Sequence, residues 1–456
     1  MLISTYEMGR QPFGLASPAA WLRQGGAQVT CLDVSREAFR EDAIREADLV
    51  AFYVPMHTAT RLAVQWIEPV RKLNPRAHIC FYGLYASMNE EYLRGLGVHS
   101  ILGGEFEAGL AHLAARLRSA RANGSSAALE QTEPVLSLAR LRFQVPDRSN
   151  LVALAQYAHL VVPGGAHRTV GYTEASRGCK HLCRHCPIVP VYNGTFRIVD
   201  LEVVLADIRQ QVAAGASHIT FGDPDFFNGI GHALAIADAV HREHPQVTYD
   251  VTIKIEHLRK YQKHLPALRD TGCLFVTSAV ESVDDTVLEH LDKGHTRADF
   301  LGVIEDFREL GLTLQPTFVP FTPWTTLDGY LDLLRVLKNQ GLEENVAPIQ
   351  LGIRLLIPAG SRLLELPDVR GLAGAFDPQA LVHPWRHPDA RVDALCTDVQ
   401  GIIAAAEKLK RGRSSTFGKI WQAAAEAAGM AGKSAPQPMP MLSRAAIPYL
   451  NEPWYC

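Results

Sequence analysis

Short apolar runs alternate with amphipathic stretches twice along this chain, over residues 2–118 and again over 169–356. Runs of that length, separated by helical periodicity, build βαβ units with parallel strands and helices on the sheet faces. The alternation therefore predicts two α/β layers. In the first, strands are predicted at 2–5, 29–33, 48–54, 77–82 and 98–102, with Pro55 closing the third and Gly83 ending the fourth. A helix at 16–24 ends at Gly25-Gly26, and another runs to about 117. Such a doubly wound, flavodoxin-like sheet takes ligands beyond the carboxyl ends of its strands. At 456 residues and 47% apolar content, the chain is long enough for two to three domains with sizeable cores.

The second layer begins with a strand near 169–173 and continues with strands at 218–221, 247–255, 274–278, 312–319 and 347–356. Helices are predicted at 201–214, 230–243, 257–269, 284–291, 297–310 and 327–340. Six such units suit a partial (β/α)6 TIM-like barrel, with chemistry at the carboxyl ends of the strands. The predicted boundaries are 1–118 for the first domain, 119–150 for a linker, 151–360 for the barrel and 361–456 for a C-terminal extension. The stretch 119–138 is small, polar and aperiodic, and 151–160 reads as a short helix. Within the extension, 392–408 and 417–428 read as helices and the proline-rich 434–441 as extended chain.

Of eight cysteines, only Cys179, Cys183 and Cys186 are clustered, on a loop after the first barrel strand and ahead of Pro187. Three thiolates at this spacing can hold a [4Fe–4S] cluster and leave one iron open to a small molecule. Zinc is the competing occupant, with His181 or His185 as fourth ligand. A disulfide would leave an odd cysteine and need an oxidising compartment.

The C-x3-C-x2-C pattern resembles the hallmark of the radical S-adenosylmethionine (SAM) superfamily. Position 185, commonly aromatic there, is a histidine here. Two further pieces occur in the family's order. Gly222-Asp223-Pro224-Asp225 occupies the place of its "GGE" motif. Val280-Glu281-Ser282, with Lys293-Gly294-His295-Thr296 after it, is similar to its "GVES…KGht" segment. These pieces decide for the cluster over zinc. The resemblance implies that the three cysteines hold a [4Fe–4S] cluster and that Gly222, Asp223, Asp225, Glu281 and Ser282 hold SAM. Lys254 and Arg354 are candidate pocket residues. The implied reaction cleaves SAM to a 5′-deoxyadenosyl radical that acts on a small molecule or peptide, with electrons from a flavodoxin or ferredoxin. Transfer of a 3-amino-3-carboxypropyl group and a non-catalytic sensor role are the alternatives.

The first 118 residues resemble the cobalamin-binding domain that precedes many radical SAM enzymes. Gly103-Gly104-Glu105 matches its "GEGE" segment, Gly83 matches the Gly-rich end of its fourth strand, and Gly9, in the loop after the first strand, is a further candidate contact. The DxHxxG signature is absent: the loop from 6 to 14 has no histidine, and the first in the chain is His57. Cobalamin is therefore either bound without an imidazole below the metal or lost. The ending, with 316–324 and 353–361, is similar to the CUAEP/CCAEP-tail radical SAM group. There a cysteine is followed by selenocysteine or cysteine; Cys456 stands at the first of these positions, so either the chain stops at a selenocysteine codon, with a redox role for the tail, or it ends naturally on an ordinary surface cysteine. A net charge of −3 leaves no nucleic-acid footprint, and no apolar run is long enough to span a bilayer. A cytoplasmic enzyme is the expectation.

Overall fold

The computed structural model describes residues 1–123, 132–162, 165–430 and 448–451. Its first sheet comprises β1 (Leu2–Ser4), β2 (Cys31–Asp33), β3 (Leu49–Tyr53), β4 (His78–Tyr82), β5 (Ser100–Gly104) and β6 (Leu136–Ser137), all parallel, in the order β2-β1-β3-β4-β5-β6. Every residue of β3 is buried, as a strand covered on both faces must be. Alternate residues feed opposite cores. Ile3, Val50, Phe52, Ile79 and Phe81 pack on one face, and Leu2, Ala51, Tyr53, Cys80 and Tyr82 on the other. Each buried Val, Leu, Ile or Phe among them contributes about 1.5–3 kcal/mol.

The predicted linker is partly ordered. The helix Glu107–Asn123 runs past residue 118, and β6 extends the sheet beyond β5. Arg148 then ties the two halves together: its guanidinium bonds Gln11 Oε1 at 2.7 Å, the carbonyl of Tyr172 at 2.7 Å and Asp207 at 2.7 and 2.9 Å.

The second sheet contains β7 (His159–Val161), β8 (His167–Thr173), β11 (His218–Phe221), β12 (Thr248–Thr252), β13 (Cys273–Glu281), β14 (Thr313–Phe318) and β15 (Tyr449–Leu450); β9 (Ser176–Gly178) and β10 (Phe196–Ile198) form a separate antiparallel pair. β8 and β11 to β14 are parallel neighbours, whereas β7 and β15 run antiparallel at the edge. Three expectations are corrected here. The helix predicted at 151–160 is a 3-10 turn, Leu154–Gln156, followed by β7. The edge of β8 offers 159–161 a ladder, and Leu160 goes into the core under it. The sixth strand, 347–356, is instead a 3-10 turn, Pro348–Leu351, and a single parallel bridge from Phe321 to Arg354. Pro348 has no N–H to give a ladder. The helix predicted at 257–269 is three pieces, Ile255–Lys260, Gln262–His264 and Leu265–Asp270, the last opened by Pro266.

Helices Ala390–Lys408 and Arg413–Ala427 do not stand apart as a tail. Leu395, Val399, Phe417, Ile420 and Trp421 share one apolar core with the barrel helix Leu327–Asn339 and its strands. The proline-rich 434–441 and Cys456 lie outside the described residues. No helix among those described is long and apolar enough to cross a membrane.

Candidate active site

The cysteine loop starts where β8 and β9 leave the sheet. Gly178 has a left-handed φ of 70°, and a Cβ there would collide with the Thr195 carbonyl and the Tyr192 ring. The loop is then pinned from outside. The Arg184 N–H donates to the Leu291 carbonyl at 2.9 Å, and Arg362 Nη1 donates to the Leu182 carbonyl at 2.7 Å. The Cys186 N–H closes a turn onto the Cys183 carbonyl at 3.1 Å. All three cysteines are free thiols, Cys183 buried and the other two half-buried. Burial pushes the Cys186 thiol up to about 12 and raises Cys179 as well. Thiols this reluctant to ionise alone become thiolates when a metal replaces their protons.

Around this loop the predicted SAM residues divide by geometry. Asp223 accepts from the Ala175 N–H at 2.9 Å and Ser176 Oγ at 2.5 Å, so both its oxygens hold the chain leading into the cysteine loop. Burial raises its carboxyl to about 7. Gly222 lies against Tyr172, whose hydroxyl occupies the space a Cβ would need. Glu281 ends β13 in a left-handed conformation, φ 67°, at a register shift against β14. Its Oε1 is 3.0 Å from His185 Nε2 and 3.3 Å from Lys293 Nζ. Burial opposes its charge, but Lys293 and His185 outweigh burial and hold the carboxyl at about 2. Ser282 Oγ accepts from the Asp284 N–H at 3.1 Å and shapes the following turn.

Asp225 faces elsewhere. Its Oδ1 caps the turn Phe226–Gly229 by accepting from the Phe227 N–H at 3.1 Å, while Oδ2 lies 2.7 Å from His257 Nδ1 and 3.5 Å from His181 Nε2. Lys254 donates to Glu256 Oε2 at 2.9 Å and lies 3.2 Å from His181 Nδ1, which brings it to the cysteine loop. Arg354 is spent on the extension: it bonds Asp393 at 2.6 Å and the Trp385 carbonyl at 2.9 Å, with its guanidinium 3.7 Å from the Trp385 ring centre.

On the other side, β9 meets the carboxyl end of the first sheet. Arg177 contacts Glu107 at 2.6 Å, Glu174 at 2.7 Å and Glu105 at 3.2 Å, and the guanidinium lies within 5.7 Å of the Phe13, Phe106 and Phe143 ring centres. Three carboxylates on one buried cation cannot all stay charged. Burial lifts Glu105 to about 7 and raises Glu174.

Residues 173–343 match the radical SAM superfamily. The match covers the sheet from β11 to β14 and the cysteine loop before it. Radical SAM domains use a [4Fe–4S] cluster and SAM, and the buried three-cysteine loop suits such a cluster. Among curated relatives, the ribosomal protein uS12 methylthiotransferase RimO of Parabacteroides distasonis is 23% identical over 38% of this chain and 42% of its own length. The hopanoid C-3 methylase of Methylococcus capsulatus is 24% identical over 69% of this chain and 62% of its own. The chain thus spans less than two thirds of either relative. Two solved structures share the fold. The radical SAM methyltransferase TsrM of Kitasatospora setae, with cobalamin and a [4Fe–4S] cluster bound, has TM-score 0.58 and 17% identity over 75% of this chain and 72% of its own. The cobalamin-dependent radical SAM enzyme OxsB, with aqua-cobalamin and SAM, has TM-score 0.65 and 14% identity over 89% and 66%.

The matched segment meets the first sheet at a cleft of about 190 Å³ lined by Tyr53, Met56, Leu84, Phe106, Tyr172 and Arg177, among others. Of the predicted cobalamin contacts, Gly104 lines it. The gaps beside Gly103 and Gly104 are filled by Ser87 and by the Val135 and Ser137 carbonyls, Gly83 packs on Tyr53, and Gly9 accepts from the Ala158 N–H. Glu105 is engaged by Arg177. Sites for drug-sized ligands occupy about 300–1,000 Å³. A corrin, larger still, does not fit this cleft with Arg177, Phe106 and Tyr172 placed as they are. Arg177 and His257 were not singled out as site residues by sequence reasoning, and Lys293 entered only as part of a motif, without a role. Their positions in the chain carry no spacing signal, since each partner lies on a different element.

Proposed function

We propose that this protein is a radical SAM enzyme that acts on a C–H bond of a small molecule or peptide, in the methyl- or methylthio-transferring branch. The observation that carries the reading is the buried loop of Cys179, Cys183 and Cys186 within the matched domain. The named relatives support the branch. When bound, the cluster and SAM supply a 5′-deoxyadenosyl radical. The chain's own residues do the positioning. The ionised Glu281, backed by Lys293 and His185, presents a fixed negative charge beside the loop, suited to the SAM ammonium. Asp223 and Arg177 hold the approach to the loop rigid. The likeness of the ending to the CUAEP/CCAEP-tail group is part of this proposal.

The test is anaerobic reconstitution with iron and sulfide, followed by SAM and dithionite. 5′-Deoxyadenosine is the expected product. Methylthioadenosine would move the reading to 3-amino-3-carboxypropyl transfer, and intact SAM would leave only a sensor. Glu281→Gln removes a charge-assisted hydrogen bond of about 1.5–3 kcal/mol, so SAM affinity is expected to fall roughly 10- to 150-fold by equilibrium dialysis. Because no histidine lines the cleft, any Co(II) corrin that opens and occupies it is expected to show no nitrogen splitting from the protein in electron paramagnetic resonance.

A further inference from the structure

We propose that His181, Asp225 and His257 form a second metal site, a mononuclear centre for a zinc-class divalent ion, beside the cysteine loop and separate from its cluster. His181 lies on the cysteine loop after β9, Asp225 follows β11, and His257 sits in the first turn of the helix Ile255–Lys260 that follows β12. Their ligating atoms lie within 4.8 Å of one another. Ligand atoms about 2.0–2.1 Å from a tetrahedral zinc sit roughly 3.3–3.4 Å apart. The Asp225 Oδ2 distances of 2.7 and 3.5 Å to the two imidazoles lie near that spacing, and the two imidazole nitrogens, within 4.8 Å of each other, would have to draw together on the ion.

A second observation points to an ion. Asp225 Oδ2, His181 Nε2 and His257 Nδ1 are all buried and make no aligned hydrogen bond, although Asp225 is 1% exposed and His257 4%. Buried polar atoms nearly always have a partner. Here three lack an aligned bond and face one another across a single point.

The far oxygen of Asp225 is anchored, as a metal ligand requires. Asp225 Oδ1 accepts from the Phe227 N–H. His181 Nδ1 lies 3.5 Å from Glu256 Oε2, so its N–H can be donated there once Lys254 yields, leaving the Nε2 lone pair for the ion. The His181 and His257 rings meet edge to face, 4.6 Å between centres.

Three protein ligands leave a coordination position for water or for an oxygen or sulfur donor of the substrate. The turn that carries Asp225 also carries Asn228, whose Oδ1 is 3.9 Å from Cys179 Sγ. A substrate held by this ion would therefore be presented next to the cluster loop, and the ion would act as a Lewis acid and template.

The test titrates Zn²⁺ into cluster-reconstituted, chelator-treated full-length protein. One zinc per chain beyond the cluster iron is expected, with zinc-edge X-ray absorption showing only nitrogen and oxygen neighbours at about 2.0–2.2 Å. His257→Gln should abolish this zinc while iron content is kept, and Glu256→Gln should weaken it roughly 10- to 100-fold. Failure to bind zinc, a sulfur neighbour at about 2.3 Å, or unchanged zinc in His257→Gln would overturn the site. If His257→Gln loses iron as well, its fold has failed and Glu256→Gln decides, unchanged affinity there counting against the proposal. Iron content and SAM cleavage are read separately, so the fate of this site and that of the cluster are distinguishable.

Discussion

Cys183→Ala protein is expected to leave anaerobic reconstitution without a [4Fe–4S] signal, and Cys179→Ala and Cys186→Ala protein likewise. Each change removes one of only three thiolates and leaves a cluster with two protein ligands. The remaining thiols cannot compensate: burial holds Cys186 protonated up to about 12, so it ionises only in exchange for a metal. Cys31 and Cys80 serve as controls. Both are buried in the core of the first sheet, and burial raises their thiols too, Cys31 to about 11. Cys31→Ala and Cys80→Ala should keep full iron and sulfide content. Normal iron in Cys183→Ala would remove the cluster from this loop.

The second large effect is expected at Arg177. Arg177→Met deletes the one cation among Glu105, Glu107 and Glu174 and leaves buried carboxyls uncompensated. Breaking a buried ion pair from one side costs about 3–5 kcal/mol. The loss should depend on pH with a definite sign. Burial already raises Glu105 to about 7, and removing Arg177, which lowers it, raises it further. A carboxyl whose folded value lies above its unfolded one binds more protons when folded, so its stability is present below the unfolded value and lost as pH rises through the folded one. The urea midpoint of Arg177→Met should therefore fall more steeply from pH 6 to 8 than that of the parent. Adding Glu105→Gln should return part of the loss, the signature of direct coupling. Because Arg177 lies two residues before Cys179, cluster yield should fall with it. Equal midpoints across that range would show the network to be dispensable.

Two α/β layers, the five core strands of the first sheet, and the parallel run from β8 to β14 were legible in the sequence. So was the cysteine loop between strand and helix. These are local signals: apolar periodicity and a spacing of thiols within eight residues, 179–186, are set before the chain meets itself. Where the outcome turned on a neighbour, sequence reading failed. Residues 151–160 have apolar positions that suit a helix, yet the free edge of β8 draws 159–161 into a ladder. The stretch 347–356 is apolar enough for a strand, but Pro348 cannot donate and the pairing shrinks to the bridge at Arg354.

The site divides the same way. By itself the sequence determined which residues could ligate iron, because the three thiols sit on one short loop. It also brought out Glu281, through the motif around it. Only the tertiary structure decided the partners: Glu281 with Lys293 and His185, Glu105 with Arg177 rather than at an open cleft, and Asp225 between His181 and His257. The physical reason is separation along the chain. His181, Asp225 and His257 are spread over 77 positions from first to last, and nothing in their spacing marks them until parallel strands bring two loops and a helix start to one end of the sheet.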